Sequence, residues 1–133
     1  MNEHQRDTAR ASLAAAEGDT MAFPAIVAML GAAGFEGYAV DFRRGVATYY
    51  LPSGDSLDLA IHEMAVPVAA AFDGERLRAA IREAQQQVPG YTYRGFCAKA
   101  AAAGCALYVV SFPGRRALYV GRTAETHEER FPT

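Results

Sequence analysis

The sequence predicts an α+β fold with helices mainly on one face of an antiparallel sheet. Three observations carry this reading. Apolar residues recur at helical spacing in four segments. Runs of alternating character, bounded by glycine and proline turns, read as strands. The two halves also match without gaps at an offset of 70: Gly34 falls on Gly104, Tyr38 on Tyr108, Val40 on Val110, Phe42 on Phe112 and Tyr49 on Tyr119. A fixed offset spanning helix and hairpin points to duplication. The expected architecture is therefore two pseudo-repeated ααββ units, about residues 3–72 and 73–133, sharing one sheet within a single domain, 1–133.

The first helix runs from Glu3 to Glu17 and is closed by Gly18. Asp19 and Thr20 are placed to cap a second, with Pro24 in its first turn and Phe23, Ile26, Val27 and Leu30 as its buried stripe. Asp73 caps the third, whose inward stripe is Leu77, Ile81, Ala84 and Val88. Thr92 caps the fourth, which carries Tyr93, Phe96, Cys97 and Ala100 on one face and ends at Gly104. The strands are Tyr38–Phe42, Val46–Leu51, Ser56–Ile61, Cys105–Phe112 and Arg116–Val120. Val66–Ala71 reads as an edge strand because Pro67 forbids a central one. Thr123–Thr133 adds a short last strand.

Two-residue turns at Arg44-Gly45 and Gly114-Arg115 would pair Phe42 with Ala47, Val40 with Tyr49, Phe112 with Ala117 and Val110 with Tyr119. One face then carries Tyr38, Val40, Tyr49, Tyr108, Val110 and Tyr119 toward the helices. The opposite face is unequal. The first hairpin shows Asp41, Arg43 and Thr48; the second shows Leu107, Val109, Leu118 and Val120, an apolar patch of the kind that marks an interface. The partner this patch implies is a second copy of the chain.

Composition narrows the function. Apolar residues make up 51% and charged residues 21%, which excludes disorder. A net charge of −2 gives no bulk attraction to nucleic acid. The arginines at the hairpin tips, Arg43, Arg44, Arg115 and Arg116, read as solvated turn residues. The charged start shows no leader, no apolar run is long enough to span a membrane, and two cysteines are too few for a disulfide framework. These features point to a cytoplasmic protein with no membrane partner.

The pattern Phe23-Pro24, Gly34, Tyr38 and Tyr49, followed by Tyr91, Tyr93-x-x-Phe96-Cys97 and Ala102-Ala103-Gly104, resembles the YbcV-like bacterial domains of unknown function. Some members of that family carry the label phage envelope protein. The resemblance covers the chain from about Phe23 onward. It implies a small bacterial domain and supplies no catalytic residues, and the phage label is its only pointer to a phage-associated component.

No chemistry-bearing constellation stands out. His62 and Glu63 are adjacent rather than i, i+4, and His127-Glu128-Glu129 sits in a polar tail, so no metal or other cofactor is expected. Cys97 lies on the apolar stripe of a helix, and Cys105 reads as packing. The glycines at 31, 34 and 37 surround a helix end and form no phosphate loop. His62, Tyr49 and Tyr119 are the candidate lining of a ligand pocket between sheet and helices. The leading reading is a non-enzymatic binding or interaction module that dimerises through Leu107, Val109, Leu118 and Val120. The alternative is a small-ligand binder or enzyme using that pocket.

Overall fold

The computed structural model describes residues 1–132. Helix α1 (Glu3–Glu17) starts on a capping box: Asn2 Oδ1 accepts from the Gln5 N–H, and Gln5 Oε1 accepts from the Asn2 N–H. Helix α2 (Phe23–Ala32) follows Ala22 with no side-chain cap, so neither Asp19 nor Thr20 serves it. Asp19 adopts a left-handed backbone, φ 56°. Its carboxylate instead accepts from the Tyr93 N–H at 2.8 Å. The start of helix α4 (Tyr93–Ala102) is thus held by Thr92 locally and by Asp19 from far along the chain. Helix α3 (Gly74–Gln86) is capped by Asp73 as expected, and buries Leu77, Ala80 and Ile81.

Strands β1 (Gly37–Asp41), β2 (Val46–Tyr50), β3 (Ser56–Ala60), β4 (Cys105–Ser111), β5 (Arg116–Gly121) and β6 (Thr126–Arg130) form one antiparallel sheet in the order β3-β2-β1-β4-β5-β6. The fold is α+β. Each half reads ααβββ: β3 and β6, which fall within the strands expected at Ser56–Ile61 and Thr123–Thr133, extend the sheet on either side and add a third strand to each ααββ unit. The halves meet where β1 pairs with β4, and Ala39 lies opposite Val109.

Both hairpins differ in register from the two-residue turns expected. Val40 pairs with Ala47 and Tyr38 with Tyr49; Val110 pairs with Ala117 and Tyr108 with Tyr119. The loops contain four residues, Phe42–Gly45 and Phe112–Arg115, which places Arg43 at a loop tip rather than on a strand. The cause is local. The Asp41 carboxylate accepts from the Arg43 and Arg44 amides at 2.9 and 3.0 Å, and Ser111 Oγ accepts from the Gly114 N–H at 2.9 Å. These side chains wrap the turn one step earlier than the glycines suggested. The left-handed residues are Gly45 (φ 68°) and Arg115 (φ 51°), while Gly114 is not left-handed. A shift of two leaves every side chain on its expected face. Tyr38, Val40, Ala47, Tyr49, Tyr108, Val110, Ala117 and Tyr119 are all buried in one core with Leu30, Leu77 and Cys97.

Val66–Ala71 forms no strand. The connection from Ile61 to Phe72 is an extended strap. Its later part is fixed where the Ala69 N–H donates to Ala101 O, the Asp73 N–H donates to Ala103 O, and Arg122 donates to Val68 O. It leans on the end of α4 instead of adding to the sheet edge.

Candidate functional site

The helix-free face of the sheet can be read row by row from the register. Its central row runs Asp58, Thr48, Ala39, Val109, Leu118, Glu128 across all six strands. The next row places Leu107 opposite Val120, flanked by Asp41 and Thr126. Leu107, Val109, Leu118 and Val120 therefore form a square block of four aliphatic side chains on adjacent strands. None is buried, and Val109 is 39% exposed. The flanks are polar. On one side Thr48 donates to Asp58 at 2.6 Å. On the other, Glu128 accepts from Arg116 at 3.1 Å and Arg130 at 2.9 Å. These cations, Arg130 first, hold the Glu128 carboxyl below its usual range.

On the helix-covered face the rings of Tyr49, Tyr38, Tyr108 and Tyr119 make a band across β2, β1, β4 and β5. Successive centroids lie 5.5, 6.3 and 5.4 Å apart. Burial pushes the Tyr49 hydroxyl up to about 12, and burial raises Tyr38, Tyr108 and Tyr119 as well. The tyrosines nominated for one pocket, Tyr49 and Tyr119, are separated by two strands, or about 14 Å at ordinary strand spacing. Each faces the helices, but the structure does not bring them together.

His62 stands at the exit of β3, and its partner is Glu17, the last residue of α1. Glu17 Oε2 lies 2.7 Å from both the His62 backbone nitrogen and Nδ1. Both side chains are sequestered, 6% exposed for His62 and 15% for Glu17. The His62 ring meets the Tyr93 ring edge-on at 6.4 Å, and the Tyr93 hydroxyl lies 2.6 Å from that of Tyr108. Burial first, then Cys97, raises Tyr93. The Glu17–His62 pair thus meets the Tyr93–Tyr108 hydroxyl pair through a ring-to-ring contact. Together the two pairs join the end of α1, the start of the strap, α4 and β4. Glu17 escaped sequence reasoning, yet a signal existed: a carboxylate in the last turn opposes the helix dipole, so it needs a specific partner.

Glu17→Gln should lower the unfolding free energy by about 1–3 kcal/mol, because a neutral amide oxygen replaces a charged acceptor serving two buried donors. Urea unfolding monitored by circular dichroism measures this. A change below a few tenths would show that the pair carries no stability.

His127 and Glu129 leave the solvated tail expected for them. Strand alternation turns both toward the helices, where His127 Nε2 lies 2.8 Å from Glu129 Oε2 and Gln85 donates to Glu129 Oε1 at 3.1 Å. Burial pushes both thiols, Cys97 and Cys105, up to about 12. They are therefore poor nucleophiles. Among the described residues no three His, Cys, Asp or Glu side chains gather to hold a metal. Among the described residues no helix is long and apolar enough to cross a membrane.

Depressions on the surface include two that adjoin the elements above. One, of about 180 Å³, lies between α3 and α4 and is lined by Tyr91, Thr92, Phe96 and Lys99 among others. The second, of about 450 Å³, lies between the β1–β2 loop and the strap. Tyr49, Tyr119 and His62 line neither.

Comparison with curated proteins gives no match. Residues 12–126 match the family described as "Protein of unknown function (DUF1398)", and the chain belongs to that family.

Proposed function

We propose that the protein is a cytoplasmic bacterial interaction module, one domain built by duplication of an ααβββ unit, that forms a homodimer through the open face of its sheet. The observation that carries this reading is the aliphatic square of Leu107, Val109, Leu118 and Val120 on a face with no helix over it. Such a block is self-complementary: a two-fold axis parallel to the sheet and above the block's centre, midway between the two copies, lays the block on its own copy. Aligned sheet-on-sheet packing accommodates this contact at about 10 Å separation. The polar flanks, with Asp58 on one side and the Arg116–Glu128–Arg130 group on the other, supply a wet rim around a dry centre.

The duplication is supported by element bounds. Helices α2 and α4 have the same length and start 70 residues apart, as do β3 and β6. Left-handed Gly34 and Gly104 precede β1 and β4 at equivalent points. The nearer kinship with YbcV-like domains rests on the Tyr93-x-x-Phe96-Cys97 helix, whose residues form the aromatic floor beside Tyr108.

Leu118→Arg tests the dimer. Light scattering on a sizing column should give twice the chain mass for the wild type and the single mass for the variant, with unchanged circular dichroism. Placing a cation at the centre of the interface should weaken association by about a hundredfold or more. A wild type that remains monomeric at high concentration would overturn the reading.

A further inference from the structure

The depression beside the β1–β2 loop has the chemistry of a ligand site. Phe42 and the strap residues Met64–Val68 line it, and Arg43 is its sole ionisable group. Phe42 is buried and rests against Tyr108, so this wall is anchored in the core. The volume of about 450 Å³ lies within the range of small-molecule sites.

Among the described residues Arg43 has no ionic partner. No acidic group of the described residues lies within 4.0 Å of its guanidinium. The nearest acid in sequence, Asp41, already uses Oδ1 to hold the loop amides, and Glu63 does not line the groove. An apolar trough with one guanidinium at its edge is complementary to a single negative charge on an apolar body. The other hairpin loop lacks this arrangement, since Pro113 stands where the first loop has Arg43.

We propose that this groove binds an amphipathic monocarboxylate, its carboxylate on Arg43 and its hydrocarbon chain along Phe42, Met64 and Val66. A guanidinium offers a carboxylate two parallel charge-assisted hydrogen bonds, which fixes the ligand's orientation. The chain supplies the remaining affinity by leaving water.

The test is a titration of the full chain with octanoate, decanoate and the neutral analogue octanamide, followed by amide chemical shifts. Saturable shifts should centre on residues 42–43 and 64–68. Decanoate should bind more tightly than octanoate by about twofold to fourfold per added methylene. Octanamide should bind about tenfold more weakly than octanoate. Arg43→Gln, at an exposed position that leaves the fold intact, should weaken octanoate by the same factor and remove the difference between acid and amide. Absence of saturation by decanoate at about 5 mM overturns the proposal. So do shifts centred elsewhere, or equal octanoate affinity in Arg43→Gln. Dimerisation is read separately by Leu118→Arg, so either proposal can fail without the other.

Discussion

Gly104→Ala is expected to lower the unfolding free energy by about 3–5 kcal/mol, enough to leave much of the chain unfolded at 37 °C. Two causes add. Gly104 has φ 91°, which an L side chain adopts only with strain. A Cβ there would also run into Ala71 O and stand 2.9 Å from Phe72 Cα, both backbone atoms of the strap. The strap cannot retreat easily, because the Asp73 N–H donates to Ala103 O. Gly34 is the control. Its φ is 101°, but a Cβ there meets only the Gln5 amide nitrogen at 3.3 Å, the far end of a flexible side chain. Gly34→Ala should therefore cost about 1–2 kcal/mol, from strain alone. Urea midpoints for the two variants separate the contributions, and equal losses would show that the strap does not press on Gly104.

Raising the pH above 10 should unfold the protein cooperatively. Tyr38, Tyr49, Tyr93, Tyr108 and Tyr119 all sit above the ordinary tyrosine value because burial disfavours the phenolate. In the unfolded chain they titrate near about 10. Between that value and the folded one, which is about 12 for Tyr49, the unfolded state has lost protons that the native state still holds. Stability is then complete below pH 10 and falls as pH rises, by about 1.4 kcal/mol per pH unit for each such tyrosine. Five acting together exceed the net stability of an ordinary domain by about pH 11–12. Phenolate absorbance and circular dichroism should change together in one step. Gradual, independent titration of single tyrosines with the fold intact would contradict the burial described.

Much of this architecture was legible in the residues. Period-3.6 stripes such as Phe96, Cys97 and Ala100, and period-2 runs such as Tyr38, Val40 and Phe42, gave elements and faces because burial enforces both periods. The aliphatic square on the back of β4 and β5 followed from the same alternation. Loop length was not legible, because it depends on whether Asp41 and Ser111 fold back onto the turn amides, a choice among states of similar energy. The strap was misread because an apolar run with one proline satisfies an edge strand and a covering segment equally well. The links from Glu17 to His62 and from Asp19 to Tyr93 span 45 and 74 residues, beyond any local pattern. The Arg43 groove was hidden for the same reason, since the fold alone sets the strap beside that loop.

The seam between β1 and β4 bears on biosynthesis. A ribosome makes Asp41 seventy residues before it finishes β4 at Ser111, a delay of about 4–14 s at ordinary elongation rates. During that interval the nascent first half has three strands whose inner edge, along Gly37–Asp41, lacks its mate. Crowded translation at high expression should therefore favour strand exchange between neighbouring nascent chains, with yields that improve as synthesis is slowed or cooled.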